Sequence, residues 1–376
     1  MTVQETLAQL VAIDSVSTRS NTAIIEYLQQ RCERAGFSLK RFSYSDEAGF
    51  DKINLVGLAG TDFSKQPEAE LALVGHTDTV PYDPNWNEAT KLTERDGKLF
   101  GRGSCDTKGF IAAALTAVDR VDLDRLQRPL ALVFTADEEI GLLGAKHLAQ
   151  IKPLRVRYSI VGEPTSLQPI RAGKGYSLAE VVVRGREAHS AYPALGSSAV
   201  FRAARLVSRL EAIGEQLRAD QHPGFDPPFT TLNVGLIRGG SAKNVIAGEC
   251  RFTLEWRPIP TQKPTLVLDL LDAAIDEELK RDSDFRCEVT CGRNDSGFET
   301  PASSTLVTFL ENSTGKKAGS VAFGTEGAQM TALGSEAVVL GPGDIREAHR
   351  TGEFVPIDEL ERCVEILSQT IKTFCC

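Results

Sequence analysis

The sequence predicts an α/β protein built on a mostly parallel sheet with helices on both faces, interrupted by an inserted α+β domain of the ferredoxin-like kind. Three observations carry this. Short apolar runs that end abruptly in polar or turn residues recur along the chain: ELALVGHTD, PLALVFTADEE, RYSIVGEPT and AVVLGPGD. Helical patterns, KGFIAAALTAVDRV and LLGAKHLAQI, stand between them. Continuous apolar strands alternating with helices mean a parallel sheet covered on both faces. From Gly173 to Arg293 the order becomes strand, helix, strand, strand, helix, strand, which is the split βαβ arrangement.

Taken in order, the chain first offers an amphipathic helix, TAIIEYLQQRCERAG, with Gly36 as its stop, and then a strand, FSLKRFSY. The strand–helix alternation follows. The inserted segment runs through YSLAEVVVRG, SSAVFRAARLVSRLEAIGEQL, FTTLNVGLIRGG, ECRFTLEWRP, KPTLVLDLLDAAIDEELKR and DFRCEVTCGR. The expected division is therefore a discontinuous α/β domain, 1–172 and 294–376, around an inserted domain at 173–293.

Bulk properties narrow the function classes. The 376 residues are 41% apolar and 25% charged, with a net charge of −9. That balance argues against a nucleic-acid backbone or an anionic membrane as partner. No apolar run is long enough to cross a bilayer, and MTVQETLAQL is too polar for a signal peptide. Eight scattered cysteines without a CxxC pair fit reduced thiols in a cytoplasm rather than a disulfide scaffold.

The chemistry sits where the apolar runs end. His76, the pair Glu138–Glu139 and Glu163 each fall just past the last apolar residue of a strand, and His349 follows AVVLGPGD closely. Asp106 lies in GRGSCDTKG, directly before a helix, and Asp78 is two residues beyond His76. Carboxyl ends of parallel strands form the ligand crevice of open α/β sheets, so these groups converge on one edge. Asp137, Glu138 and Glu139 in succession would repel one another in a plain buried turn, whereas a bound cation would tolerate them. Two imidazoles and several carboxylates make a mixed nitrogen and oxygen site that suits zinc, cobalt or manganese. Five ligands exceed what one catalytic zinc takes. Shared over two ions with one carboxylate and a water between them, they give each ion three protein ligands.

The motifs GHTDTVP, GRGSCDTKG, TADEEIG, GEPT and GPGDIREAH, in that order, resemble the M20 family of two-zinc amidohydrolases and peptidases along essentially the whole chain. The resemblance implies a zinc-peptidase-like catalytic domain and an inserted lid that dimerises. It implies that His76 and Glu163 bind one zinc, Glu139 and His349 the other, and that Asp106 bridges them. By the same likeness Asp78 orients His76, and Glu138 is the general base. His189, in GREAHSAYPALG, would reach a partner subunit's site to stabilise the oxyanion, and Asn244 and Arg257 would contact the substrate. The implied reaction is hydrolysis of an N-acyl amino acid. N2-acetylornithine, a substrate of arginine biosynthesis, comes first, with succinyl-diaminopimelate, N-acetylcitrulline or a dipeptide as alternatives. One departure concerns RAGKGYS, where deacetylating members often carry a histidine before the Lys-Gly and this chain has Gly173.

Three rival readings have specific weaknesses. A cysteine hydrolase through Cys105 would need a lowered thiol pKa, and a neighbouring carboxylate raises it. STGKKAG and LIRGGSAKN are not phosphate loops: Leu310 stands where a P-loop needs glycine, and Lys317 where it needs Ser or Thr. A non-catalytic metal binder would not need Glu138.

Overall fold

The computed structural model describes residues 1–46 and 49–376. The chain divides into two compact units. The first comprises Met1–Arg171, Glu299–Gly319 and Thr325–Cys376; the second comprises Ala172–Phe298 with Ser320–Gly324.

In the first unit the strands Leu130–Thr135, Glu68–His76, Arg155–Val161 and Glu336–Val339 lie side by side and parallel, in that order. Asp51–Ala59 and then Ser38–Ser45 extend one side antiparallel. The sheet is thus mixed, with a parallel centre. Past any charged residues near their starts, the central strands are mainly apolar because both faces are covered. Every residue of LALVFT at 130–135 is buried.

The helix Lys108–Asp119 shows how closely one cover sits. All but its last residue are buried. Two strand ends beneath it need glycine: a Cβ on Gly75 would stand 2.9 Å from Ile111, and one on Gly162 would overlap the Phe110 ring. The amphipathic C-terminal helix Ile357–Cys375 turns Leu360, Val364, Leu367 and Ile371 into the same core. All eight cysteines are free thiols. Among the described residues no helix is long and apolar enough to cross a membrane.

The second unit has a four-stranded antiparallel sheet ordered Thr231–Gly239, Glu249–Arg257, Tyr176–Arg184, Arg286–Asp295. The helices Ala199–Leu217 and Leu266–Arg281 cover one face. Val181, Val183, Phe252, Leu254 and Trp256 pack there against Leu206, Leu210 and Leu271. The alternate residues of the same strands, Arg251, Glu255 and Arg257 among them, form the other face. This unit is longer than 173–293 because the last strand stays paired as far as Asp295, opposite Tyr176.

Candidate active site

Each strand of the parallel centre delivers its polar terminus to the same edge. His76 is the last residue of its strand and is 1% exposed, as is Asp78. Asp106 is buried in the turn that precedes the helix at 108. Its carboxylate lies between two imidazoles: Oδ1 is 3.0 Å from His76 Nε2, and Oδ2 is 3.1 Å from His349 Nε2. His349 Nε2 is also 3.0 Å from Glu139 Oε2. One ligand atom each from His76, Asp106 and Glu139 lies within 4.8 Å of the others. His349 is half-exposed, and its backbone is held in the left-handed region at φ 60°, a conformation uncommon outside glycine that clusters at functional sites.

Glu138 and Glu163 complete the group electrostatically. Burial, above all, raises the pKa of both well above the ordinary value. For Glu138 the carboxylates of Glu139 and Asp106 add to this against the His76 charge; for Glu163 those of Asp106 and Glu138 add to it. Burial opposes protonation of His76, yet the Asp106 and Asp78 carboxylates hold its pKa well above normal. Hydrogen bonds to Asp106 and Glu139 push His349 up to about 10. Burial would raise Asp106, but the two imidazoles prevail and lower it.

Asp78 organises the acidic turn. Its Oδ1 and Oδ2 accept the backbone N–H groups of Glu138 and Glu139 at 3.1 and 3.2 Å, and Ser17 Oγ donates to Oδ2 at 2.7 Å. Toward His76 Nδ1 it offers its backbone carbonyl at 3.1 Å, with the carboxylate farther off at 3.6 Å. The third acid of the run, Asp137, is neutralised by the protein itself. Buried Lys52 Nζ lies 2.9 Å from its Oδ1, and Tyr44 donates to Oδ2 at 2.9 Å. Among the described residues, no lysine pairs with Glu138 or Glu139 in this way.

Four further groups had no motif to reveal them. Glu353 Oε1 accepts the N–H groups of Cys105 and Asp106 at 3.0 Å each, while Arg102 Nη1 pairs with Oε2 at 2.6 Å. This buried pair fixes the Asp106 turn. Lys52 is the second residue of the strand Asp51–Ala59, where a lysine reads as a solvated end although it is buried. Lys108 is fully buried, donates to the Ile13 carbonyl at 2.8 Å, and is lowered by burial to about 8. Glu326 accepts from Thr135 Oγ1 at 2.5 Å, leaves its other oxygen without a hydrogen bond, and is pushed up to about 7 by burial. Nothing activates Cys105 as a nucleophile: it is buried, and burial, then the Glu353 and Asp106 charges, raise its thiol pKa well above normal.

The remaining predicted residues belong to the second unit. His189 is exposed on the two-residue strand Ala188–His189, which pairs with Val245–Ile246. Asn244 is beside it, its carbonyl accepting from Ser190 N at 3.0 Å. Arg257 stacks on the Tyr176 ring at 3.9 Å from its centroid and pairs through Nε with Glu255 at 2.8 Å. Gly173 has no room for the alternative histidine, since a Cβ there would stand 2.7 Å from the Phe298 ring.

Buried carboxylates without hydrogen-bonding partners are costly unless cations neutralise them. The donor set of imidazole and carboxylate fits borderline divalent metals. A parallel sheet with such a cluster at its carboxyl edge defines a metallohydrolase. The chain belongs to peptidase family M20/M25/M40, whose sequence pattern matches residues 72–373. It is 52% identical over 374 residues to an acetylornithine deacetylase of Myxococcus xanthus, covering 99% of this chain and 97% of that one. It is 35% identical to one from Proteus mirabilis, covering 99% and 96%. The fold matches a Staphylococcus aureus tripeptidase with TM-score 0.77 at 24% identity, over 99% of this chain and 97% of that one. It also matches an M20 metallo-carboxypeptidase of Sulfolobus solfataricus, TM-score 0.77 at 18% identity, over 100% and 99%.

Proposed function

We propose that this protein hydrolyses N2-acetyl-L-ornithine to L-ornithine and acetate, the deacetylation step of arginine biosynthesis, in the cytoplasm. The observation that carries the reading is the 52% identity to the Myxococcus xanthus deacetylase, which runs through 99% of the chain. The intact acidic site accompanies it. His76 and Glu163 would hold one zinc, Glu139 and His349 the other, and Asp106 would be shared. The placement of one imidazole on each Asp106 oxygen supports that division. Cobalt or manganese suits the same donors.

Two divalent cations held there would polarise the scissile carbonyl and make water more acidic. Glu138 takes the proton from the attacking water and passes it to the departing amine. Its buried position, with no hydrogen bond holding the carboxylate ionised, suits that exchange. Asp78 keeps His76 oriented and pins the turn that carries Glu138. The discontinuous first unit is the catalytic domain, and the second is a lid through which two copies pair. His189 from the partner would stabilise the oxyanion, while Asn244 and Arg257 contact the substrate.

A second reading keeps the chemistry and changes the acyl amino acid; it is favoured by Gly173, whose site Phe298 closes to any side chain. The deciding measurement is kcat/KM of the zinc-loaded enzyme on a panel of acetyl, succinyl and formyl amino acids and dipeptides. N2-acetyl-L-ornithine is expected to lead. A succinylated substrate or a dipeptide preferred by about tenfold, a difference of about 1.4 kcal/mol, would overturn the assignment.

A further inference from the structure

Among the described residues, the Glu138 side chain makes no hydrogen bond, so its carboxyl group stands wherever the backbone of its turn puts it. That backbone is strained. Asp137 and Leu142, on either side, are held in the left-handed region at φ 55° and 60°, which residues other than glycine adopt only where their surroundings impose it. The outside hold on the turn is the Asp78 carboxylate, which takes the N–H groups of Glu138 and Glu139.

The third donor to that carboxylate comes from a segment that supplies no ligand. Residues 15–17 run beside residues 77–79: Thr79 N–H donates to the Ser15 carbonyl at 3.1 Å, and Ser17 N–H donates to the Thr79 carbonyl at 3.0 Å. Ser15 and Ser17 are both buried, yet their hydroxyls go to different places. Ser15 Oγ donates to the Thr77 carbonyl at 2.6 Å, whereas Ser17 Oγ donates to Asp78 Oδ2 at 2.7 Å. Lys52 fastens the same segment to the same turn, donating to the Ser17 and Arg19 carbonyls while it pairs with Asp137.

These donors decide where the Asp78 carboxylate points. His76 Nδ1 lies 3.6 Å from Oδ1, beyond hydrogen-bonding range. Without the Ser17 hydroxyl, Oδ2 keeps only the Glu139 N–H at 3.2 Å, and the carboxylate is free to turn from the acidic turn to the imidazole. We propose that Ser17 is a positioning residue for the catalytic base: its hydroxyl keeps the Asp78 carboxylate on the turn and so sets where the Glu138 carboxyl stands. The inference rests on the reading of Glu138 as general base. A displacement of the base by a fraction of an ångström suffices to slow proton transfer without touching substrate affinity.

The test uses zinc-loaded Ser17→Ala, with Ser15→Ala as the control that removes a buried hydroxyl from the same segment but not from Asp78. S17A should lower kcat about ten- to hundredfold, the worth of a charge-assisted hydrogen bond, with KM within about twofold and zinc content at the parental level. Hydrogen exchange across residues 136–142 should become about tenfold faster in S17A. S15A should leave kcat and that exchange within about twofold of the parent. On a Glu138→Ala background, S17A should change the residual rate less than about twofold, because the group it positions is gone. Ser17→Cys keeps the volume and weakens the donor, and it decides the matter if S17A is not recovered folded. Unchanged kcat in S17A, an equal loss in S15A, a loss of zinc, or a full further loss on the Glu138→Ala background overturns the proposal. If Glu138→Ala alone turned over near the parental rate, the base assignment would fail, while the exchange measurement would still report whether Ser17 holds the turn.

Discussion

Two groups of charged side chains in this molecule are built to opposite rules. On the open face of the second unit, arginines and glutamates alternate across strands, largely in water, and Arg184 is matched by Glu249 and Glu288. At the carboxyl edge of the first unit, Asp106, Glu138, Glu139 and Glu163 are withdrawn from water around two imidazoles. The first group is complete as it stands and contributes little to stability. The second is incomplete, because charges brought inside without partners destabilise a fold by several kcal/mol. The difference separates a structural surface from a site: the acid cluster becomes tolerable once cations finish it, as the proposed metal site requires. Even within the acidic turn the two rules meet, since Asp137 is neutralised by Lys52, Glu139 meets only the half-exposed His349, and Glu138 makes no ion pair among the described residues.

The largest effect should come from removing the one acid that the ligand scheme leaves over. Glu138→Ala is expected to keep two metal ions per chain and to lower kcat about a thousandfold, within the usual range for a general base. Metal content by elemental analysis and kcat on the deacetylation substrate check this together. A variant that turned over near the parental rate would return Glu138 to the class of buried structural acids. His76→Ala should instead lose metal along with activity. Its ring is 1% exposed and meets Asp106 directly, so added zinc should not restore it.

Much of this was legible in advance, and the reason is physical. The central strands are continuous apolar runs because helices cover both faces, so their ends are marked by the first polar residue. His76, Glu138, Glu139 and Glu163 all lie within a few residues of those ends. What escaped is whatever depends on packing between distant segments. Nothing in TGEF says that Glu353 will fold under the Cys105–Asp106 turn, 248 and 247 residues earlier in the chain. Nothing in CGRND marks Gly292 as the extra residue that re-aims Arg293. Lys52 is an intermediate case. A lysine one residue into a strand reads as a solvated end, and only the fold shows that it is 0% exposed beneath Asp137.

Lys52 sharpens the comparison from the side of stability. Lys52→Met removes the buried cation and keeps the volume, leaving Asp137 with Tyr44 alone. Breaking a buried pair in this way costs about 3–5 kcal/mol. Urea unfolding should show the loss, and Lys52→Met with Asp137→Asn should recover much of it. If the single variant were as stable as the parent, the protein would be neutralising that turn by some other means.

Glu326 supplies a pH test of the same rule. Its folded pKa is raised from 4.5 to about 7, mainly by burial. At pH below 4.5 the group is protonated in folded and unfolded chains alike and costs nothing. As pH rises through this interval the unfolded chain ionises first, so stability falls, and the penalty is complete above about 7. Its ceiling is on the order of 3 kcal/mol. In chelated protein, Glu326→Gln should therefore melt at a higher temperature than the parent at pH 8 and at the same temperature at pH 4.5. The gain should stay under the ceiling, because the Gln amide introduces a buried donor where Oε2 has no partner. A variant stabilised equally at both pH values would show that removal of charge is not the cause.

The smallest expected effect tests the other half of the comparison. Arg184→Gln breaks ion pairs to two glutamates, Glu249 and Glu288, in one step. Counting bonds would therefore rank it among the severe changes. Exposure ranks it last, since water and salt replace what the glutamates lose. The melting temperature should be unchanged within error. A clear loss of stability would mean that the open face is not in water in the working protein. A partner surface covering Arg184 would then be the first explanation to pursue, and sedimentation of the variant against the parent would reveal it.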